Sequence, residues 1–360
     1  MHKKKLEEFV SFVRSFDSSD RIAILHDSDA DGISAAVICA RAVERLRGSP
    51  PDLVITQKKR MVSIEKETVR KLKQNRINKF ITLDLAVDQE PQKFRPIEKF
   101  AQVLVIDHHK VYSNLSSKKT VFIKASELSP KVEPSKYATS KLVFDLFSRV
   151  TDLSDLDWVA CVGMVGDFSV NAWKSFVNHV LKTKKLSMHQ IKGCTEIVNA
   201  VEIIHVDDIS SLFQLFYKAS HPKDLLESRF SSYREKVEEE RSRLLKEFDK
   251  KSEAHPKQEL IFFQFKSKYS IKSAVVDYLS TKIFPNKTLV VVEDIGNGIL
   301  TISARRQDYK VKMNDLLEKA VKPLTGGIAG GHVPAAGGKI RRADLAQFKA
   351  NVLKILGHKE

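Results

Sequence analysis

The sequence predicts an α/β protein with two domains, the first built on a doubly wound parallel sheet and the second a smaller α/β domain. Over the first third of the chain, short apolar runs alternate with segments of helical spacing, and several runs end at an acidic residue. A charged helical stretch later precedes a second, shorter set of strands. Alternating strands and helices are typical of a parallel sheet with helices on both faces. The 360 residues, 42% of them hydrophobic, suffice for two cores and exclude a wholly disordered chain.

The first domain is expected over residues 1–220. A helix is predicted over 6–16, where apolar residues recur at helical spacing. The predicted strands are 21–25, 53–56, 79–83, 102–106 and 120–123, with helices over 33–46 and 63–73. From residue 138 to about 217 the pattern becomes helical.

A linker helix is expected over residues 221–256, because 223–251 is rich in Glu, Lys and Arg, and His255-Pro256 ends it. Residues 257–360 are expected to form the second domain. Its predicted strands are 259–265, 289–293 and 299–305, its predicted helices are 273–283 and 314–321, and Gly296-Asn297-Gly298 indicates a hairpin turn. Residues 255–360 contain 18 Lys and Arg against 9 Asp and Glu, so more than half of the net charge of +16 lies here.

Acidic residues follow the predicted strands and one helix at four places. They are Asp27, Asp29 and Asp31 beside His26, then Asp84, then Asp107-His108-His109, and finally Asp167 after Gly166. Parallel strands present their carboxyl ends at one edge of the sheet, so we expect these side chains to meet there. Crowded carboxylates repel one another unless cations lie between them. Oxygen and imidazole ligands without thiolate favour Mn²⁺ or Mg²⁺, and two such ions are the usual means of cleaving phosphate esters.

These motifs, in this order and spacing, resemble the DHH superfamily of phosphoesterases, which is named for the Asp-His-His found here at Asp107-His108-His109. The segment from Gly330 to Gly338 resembles the glycine-histidine loop of the DHHA1 substrate-binding domain. The resemblance extends over about residues 20–345, and the chain is similar in particular to archaeal RecJ-like single-strand nucleases.

The resemblance implies two Mn²⁺ ions, with Mg²⁺ as the alternative, held by six residues. One ion would be bound by Asp27, Asp29 and Asp84, and the other by Asp31, Asp84, His108 and Asp167, with Asp84 as the bridge. Either His26 or Asp27 could be the leading ligand, and the alternation Asp-x-Asp-x-Asp favours Asp27.

Two further residues are expected to act in catalysis. The resemblance implies that His109 touches the scissile phosphate or supports the site. Asp107 is expected to orient the histidines, because ligating imidazoles need a partner for their other N–H.

The glycine-rich segment over 325–332 is expected to bind a substrate phosphate. Glycines let backbone N–H groups approach an anion, and nearby cationic side chains would add charge-assisted hydrogen bonds. The expected substrate-binding residues are Arg305, Arg306, Gly330, Gly331 and His332. From the residues alone, a flexible surface turn is an equally good interpretation.

The basic excess indicates a polyanionic partner, most often nucleic acid, although a merely soluble basic protein would also carry it. The resemblance implies an exonuclease that degrades single-stranded DNA by two-metal hydrolysis in DNA repair or replication, with 3′→5′ polarity by analogy with a helicase-associated archaeal branch. A DNA helicase or another replication or repair protein would be its partner. The alternatives are a nano-RNase or cyclic-dinucleotide phosphodiesterase, and a catalytically inactive replication scaffold. DNA or RNA as substrate, and the polarity, stay open.

The sequence also predicts a cytoplasmic protein that does not enter the membrane. It has no run of about 18 apolar residues, as a transmembrane helix would require. Cys39, Cys161 and Cys194 stand far apart, which fits a reducing compartment rather than a disulfide framework.

Overall fold

The computed structural model describes residues 2–57, 64–129, 132–331 and 333–357. The chain folds as two compact units, Met1–Arg234 and Glu235–Glu360. The first is built on a parallel sheet and the second, smaller one on a mixed sheet, which confirms the predicted fold class. In the described part of the chain, no helix is both long and apolar enough to cross a membrane.

The sheet of the first unit has five parallel strands. They are β1 (Ile22–His26), β2 (Leu53–Thr56), β3 (Lys79–Leu83), β4 (Gln102–Asp107) and β5 (Thr120–Lys124). Their order is β2-β1-β3-β4-β5, and every neighbouring pair is parallel. Strands β2 and β3 have their predicted bounds, whereas β1, β4 and β5 each end one residue later than predicted.

Each face of this sheet has its own apolar core. Ile22 and Ile24 of β1 pack into one cluster of buried residues, whereas Ala23 and Leu25 pack into another. All four side chains are completely buried. Since successive strand residues point to opposite faces, both faces must be covered, as in a doubly wound sheet.

Helices cover the two faces and extend the unit beyond the sheet. They are α1 (His2–Arg14), α2 (Ala30–Arg47), α3 (Lys66–Gln74), α4 (Pro91–Phe94), α5 (Ala125–Leu128), α6 (Thr139–Phe147), α7 (Asp157–Gly166), α8 (Lys174–Thr183), α9 (Met188–Ile204), α10 (Ile209–Lys218) and α11 (Pro222–Leu226). The largely buried α2 packs against both α6 and α7.

The strand order places a topological switch point between β1 and β3. After β1 the chain turns to one side, to β2, and then crosses over to the other side, to β3. The loops that leave the carboxyl ends of these two strands therefore part from each other and open a crevice. The turn after β1 and the residue after β3 are two of the four acidic places in the sequence.

The charged segment after α11 forms a separate helix, α12 (Ser231–Lys251). It is shorter than predicted, because the helical conformation is interrupted between Leu226 and Ser231, where Phe230 is buried. The division between the two units falls near its start, and its Leu244 and Phe248 are buried. The Phe248 ring packs edge-on against Phe263 of the second unit.

Among its described residues, the second unit is built on six strands and three further helices. The strands are β6 (Glu253–His255), β7 (Leu260–Phe265), β8 (Thr288–Asp294), β9 (Ile299–Arg305), β10 (Ile328–Gly331) and β11 (Ala335–Arg341), and the helices are α13 (Lys272–Tyr278), α14 (Met313–Val321) and α15 (Leu345–Gly357). The order is β10-β11-β9-β8-β7-β6, with β7 and β8 parallel and the other pairs antiparallel. The glycine-rich segment, which the sequence suggests is a loop, thus supplies two paired strands.

Candidate metal centre

The turn from β1 into α2 carries the first two carboxylates. Asp29 caps α2, because its Oδ1 accepts a hydrogen bond from the N–H of Gly32 at 2.9 Å. Asp27 accepts one from the N–H of Ser28 at 2.6 Å. A Cβ at position 32 would lie 2.5 Å from the carbonyl oxygen of Asp27, so only glycine fits. The motif Asp-x-Asp-x-Asp-Gly is therefore a tight turn from the strand into the helix.

Asp31, in the first turn of α2, is held by the start of another helix. Its Oδ2 accepts the N–H of Thr139 at 2.5 Å, and its Oδ1 accepts the N–H of Ser140 at 2.9 Å. These N–H groups belong to the first turn of α6, where the helix has no acceptors of its own for them. A helix N-terminus also favours a negative charge, so α6 stabilises this completely buried carboxylate.

Asp84 follows β3 in a left-handed conformation, with φ of 60°. Aspartate adopts this region more readily than most other residues. The side chain is buried, and its Oδ1 accepts a hydrogen bond from the hydroxyl of Thr139 at 2.9 Å. One residue at the start of α6 thus contacts two of the cluster's carboxylates.

Asp107 ends β4 and lies in a buried network. The Nζ of Lys124 on β5 lies between Asp107 and Asp88, at 2.9 Å from Asp88 Oδ1. The ring of His109 donates from Nδ1 to Asp107 Oδ1 at 2.7 Å. Burial alone would raise the pKa of Asp107, but the bonds from His109 and the Lys124 ammonium hold it well below its usual range. Asp107 therefore orients His109 but, contrary to expectation, not His108, because the buried Nδ1 of His108 makes no hydrogen bond among the described residues.

His108 and His109 differ in exposure and charge. His108 is buried, which lowers its pKa and favours the neutral ring that binds cations. Its Nε2 lies 3.4 Å from Asp84 Oδ1 and 3.2 Å from Asp167 Oδ2. The side chain of His109 is 47% exposed. Burial disfavours its charged form, but the bond to Asp107 outweighs this and raises the pKa of His109.

Asp167 follows α7, and two glycines let that helix approach the cluster. A Cβ at Gly163 would lie 2.3 Å from Ser140 Oγ and 2.6 Å from Asp31 Oδ1. A Cβ at Gly166 would lie 2.9 Å from the Cβ of Ala30. Larger side chains here would push α7, and Asp167 with it, away from α2.

Three groups of side chains offer ligand atoms that all lie within 4.8 Å of one another. They are Asp27, Asp29 and Asp84; Asp31, His108 and Asp167; and Asp84, His108 and His109. Asp84 and His108 each occur in two groups, so the groups form one continuous cluster. The structure thus brings all six predicted metal ligands close together, but Asp84 is grouped with His108 and His109 rather than with Asp31 and Asp167. Their binding of an ion stays a prediction.

The electrostatics of the cluster fit divalent cations. Burial and the neighbouring Asp27 and Asp31 carboxylates raise the pKa of Asp29 to about 7, and burial with Asp31 and Asp29 raises that of Asp167 to about 9. The pKa of Asp84 is raised for the same reasons. Among the described residues, Asp167 Oδ2 is one of the few buried polar atoms that make no hydrogen bond. Cations would relieve the repulsion and supply the missing partner, and the oxygen and imidazole ligands suit Mn²⁺ or Mg²⁺.

The structure places Asp27, rather than His26, beside the other ligands. The ring of His26 is buried, with Nδ1 2.6 Å from the carbonyl oxygen of Asp27 and Nε2 3.2 Å from Thr56 Oγ1. It stacks on Phe213, and burial lowers its pKa to about 4. His26 thus contacts the backbone of the turn through the carbonyl of Asp27 and belongs to none of the three groups.

The expected phosphate clamp in the second unit stays a prediction, and the structure shows the surroundings of three of its residues. Arg305 ends β9, where its Nε donates to Asp277 Oδ1 at 2.7 Å, and its side chain is 15% exposed. Gly330 and Gly331 end β10, the edge strand of the sheet, and Gly331 has φ of 142°.

Arg306 requires a correction to the expected clamp. It is completely buried, and its guanidinium donates to Asp308, Glu259 and Thr288. Because these bonds stabilise the fold of the second unit, we omit Arg306 from the clamp. His332 lies outside the described residues.

Several residues that contact the cluster could not be identified as site residues from the sequence. Thr139 and Ser140 stand 55 and more residues from the carboxylates that they contact, and Lys124 and Asp88 lie on different elements from Asp107. The one local signal is Lys124, a lysine that ends an apolar run and is thereby placed in a sheet buried on both faces.

Comparison with known proteins agrees with the fold of the two units. The family model described as "DHH family, N-terminal domain" matches residues 21–162, and that of the DHHA1 domain matches residues 260–357. No curated protein matches the sequence.

Solved structures with the same fold share little sequence with the chain. A DHH domain described as a member of the s1p family of ribosomal proteins superposes with a TM-score of 0.74 at 15% identity, over 99% of this chain and 91% of the other. RecJ from Thermus thermophilus, solved with Mn²⁺, gives 0.70 at 17% identity over 99% of this chain, which spans 55% of the RecJ chain. An exonuclease RecJ bound to manganese gives 0.66 at 17% identity, over 99% and 95% of the two chains.

Proposed function

Because this chain belongs to the DHH superfamily and joins a DHH domain to a DHHA1 domain, we propose that it is a metal-dependent exonuclease of single-stranded nucleic acid. At the coarser level it is a DHH phosphoesterase, a hydrolase of phosphodiester or phosphoanhydride bonds. The observation that carries the proposal is the continuous cluster of three ligand groups joined through Asp84 and His108 at the switch point of the sheet.

The residues of the cluster would hold two ions side by side. Asp27 and Asp29 would bind one ion, Asp31, His108 and Asp167 the other, and Asp84 both. When bound, such a pair of ions activates water and neutralises charge on a phosphoryl oxygen. RecJ from Thermus thermophilus, which has the same fold, was solved with Mn²⁺ and with Mg²⁺, which supports either ion here.

His109 is the group best placed to meet the substrate. Its ring is fixed by the bond from Nδ1 to Asp107, its side chain is about half exposed, and its pKa is raised. A ring that tends to carry a proton would donate a hydrogen bond to a phosphate oxygen. Lys124 holds Asp107 in place and so fixes the orientation of His109 indirectly.

The charge of the chain favours a polymeric substrate over a dinucleotide. The net charge is +16, and residues 255–360 carry an excess of nine basic residues. Each phosphate that a basic side chain contacts releases counterions and adds affinity, so a long strand gains more than a short one. Hydrolysis from an end, DNA as the strand, 3′→5′ polarity and a helicase or other replication or repair partner are parts of the same proposal.

The test is hydrolysis of end-labelled single strands of DNA and RNA, from dinucleotides to long oligonucleotides, with Mn²⁺, Mg²⁺ or EDTA. A ladder that shortens from one end with Mn²⁺ and stops with EDTA supports the proposal, and the position of the label gives the polarity. Cleavage of dinucleotides alone would make the chain a dinucleotide phosphodiesterase. Binding of strands without any cleavage would make it an inactive scaffold.

The matched variant for this test is Asp84→Asn. Asparagine tolerates a φ of 60° and can still accept the hydroxyl bond from Thr139, so the fold is kept while the shared ligand loses its charge. Activity should fall by more than the roughly 10–100-fold that loss of a metal's outer partner costs. Glu227→Gln, which removes one exposed surface carboxylate, should leave activity unchanged. Near-normal rates for Asp84→Asn in excess Mn²⁺ would contradict the two-metal site.

A further inference from the structure

Phe168 is an exposed aromatic residue directly beside the candidate metal centre. It follows Asp167 in the chain and is 77% exposed, the most of any large apolar residue in the described part of the chain. Its backbone has φ of 52°, a left-handed conformation that is uncommon for a bulky residue. An exposed aromatic ring on a left-handed backbone contributes nothing to the packing of the fold. Strained backbone conformations and exposed apolar side chains are typical of functional sites.

The segment that carries Phe168 is held in place on both sides. The N–H of Phe168 donates to the carbonyl of Val165 at 3.3 Å, and that of Ser169 to the carbonyl of Met164 at 3.0 Å. The Ser169 hydroxyl bonds to the same carbonyl of Met164 and is completely buried. The ring is thus presented by a fixed turn at the end of α7, which limits the entropy lost when a ligand packs on it.

A second exposed ring lies on the loop after His109. Tyr112 is 53% exposed, and the Nζ of Lys110 lies 5.8 Å from the centre of its ring. The backbone N–H of Tyr112 donates to Asp88 at 2.6 Å, so this loop is tied to the network of Lys124. Of the strongly exposed large apolar side chains described in the first unit, all except Val206 lie within three residues of a cluster residue.

We propose that Phe168 is a stacking platform for the nucleobase next to the scissile phosphate, with Tyr112 as a second aromatic contact. The inference rests on the proposed function and specifies its substrate class as base-bearing nucleotide chains. Inorganic polyphosphate has no apolar part that would use either ring. Stacking accepts every base, because each has a π face, so it fits degradation without base preference.

The experiment compares a fluorescent thymidine oligonucleotide with a strand of equal length and charge whose sugars lack bases. Binding is measured by anisotropy with Ca²⁺ in place of the catalytic ion, and kcat/KM is measured with Mn²⁺. Phe168→Ala should weaken binding of the base-bearing strand by about five- to a hundredfold, as loss of one stacked base does, and leave the abasic strand unchanged. Phe168→Trp should keep the affinity of the unaltered protein, and Val206→Ala should have no effect.

Three outcomes separate the inference from the function on which it rests. If Phe168→Ala binds both strands as the unaltered protein does, the stacking platform is refuted. If it loses affinity equally for both strands, its effect is not on bases, and the platform is again refuted. The third outcome is that the unaltered protein cleaves neither strand while Phe168→Ala still loses affinity for the base-bearing strand alone. In that case the proposed hydrolysis is refuted and the stacking of a base on Phe168 is supported.

Discussion

Lys124 shows how a single buried charge holds the motif that names the family. Its ammonium lies between Asp107 and Asp88, and all three side chains are completely buried. Asp107 orients the ring of His109, and Asp88 accepts the N–H groups of the loop that follows. The conformation of this loop therefore depends on a lysine that is itself completely buried.

Lys124→Met should destabilise the first unit by about 3–5 kcal/mol, because it leaves two buried carboxylates without their cation. Urea unfolding followed by tryptophan fluorescence measures this unit, since both tryptophans, Trp158 and Trp173, lie in it. Lys79→Met is the matched control, because the hydrogen bonds of this buried lysine to described residues go to the neutral Ser15 and Gln102, and the change should cost about 1 kcal/mol.

A rescue variant completes this test. Adding Asp88→Asn to Lys124→Met removes one of the unpaired charges and should restore part of the lost stability. Equal losses for Lys124→Met and Lys79→Met, or no rescue, would show that the carboxylates are hydrated or protonated rather than dependent on Lys124.

At the scale of elements, the contact of α7 with α2 and α6 decides where Asp167 lies. Gly163 faces Ser140 and Asp31 at distances too short for any side chain. The glycine therefore serves helix packing, at the expense of its own helix propensity.

Gly163→Ala should weaken Mn²⁺ binding and lower the melting temperature, although alanine in a helix interior is intrinsically favourable by about 0.5–1 kcal/mol. Overpacking of this kind costs about 1–3 kcal/mol, and here it displaces the ligand Asp31. Gly193→Ala in α9 is the control, since its Cβ would meet the end of the flexible Leu226 side chain. Calorimetric titration with Mn²⁺ checks the result, and unchanged affinity in Gly163→Ala would contradict it.

In the second unit, Glu240 ties α12 to the loop after β7. It accepts two hydrogen bonds from Arg243, one from the hydroxyl of Ser267 at 2.8 Å and one from the N–H of Lys268 at 3.0 Å. The bonds from Arg243 contribute most to the lowering of the pKa of Glu240 to about 2. This value lies below the ordinary 4.5, so the carboxylate stabilises the folded state above pH 4.5 and loses this effect as the pH falls towards 2.

Glu240→Gln should therefore increase hydrogen exchange in α12 and β7 at neutral pH, by an amount that corresponds to about 1.5–3 kcal/mol. The difference from the unaltered protein should shrink as the pH is lowered below 4.5. Glu238→Gln on the same helix removes an exposed carboxylate and should change little at any pH. If the difference in hydrogen exchange is independent of pH, Glu240 stabilises α12 and β7 through its packing and not through its charge.

Strand bounds in the first unit could be predicted because each strand is a short apolar run, and all except β2 end at or just before an acidic or basic residue. In the second unit, β10 and β11 escaped prediction because glycine and alanine have low strand propensity, and these strands exist through pairing with β9. The six candidate ligands could be proposed from the sequence because they stand in local motifs at the ends of elements. Thr139, Ser140, Lys124 and Asp88 could not, since their roles depend on partners that only the tertiary fold brings near.

For the molecule as a whole, the concentration of basic residues in 255–360 predicts that the proposed binding of single strands depends on salt. If basic side chains of the protein contact three to five phosphates of a single strand, the affinity for that strand should fall by about twenty- to a hundredfold between about 50 and 200 mM salt. A dinucleotide has too few phosphates for its affinity to depend so steeply on the salt concentration, so it serves as the control. Anisotropy titrations at several salt concentrations check this, and equal slopes for both ligands would remove the argument for a polymeric substrate.

The spacing of the ligands along the chain also affects when the enzyme can become active during its synthesis. Asp27 and Asp167 are about 140 residues apart, and both belong to the same cluster. At a translation rate of about 5–20 residues per second, roughly 7–28 s pass between the synthesis of the first ligand and that of the last. A nascent chain would therefore carry no complete ligand cluster until α7 has left the ribosome, so that, on the function proposed above, unfinished copies would not hydrolyse nucleic acid.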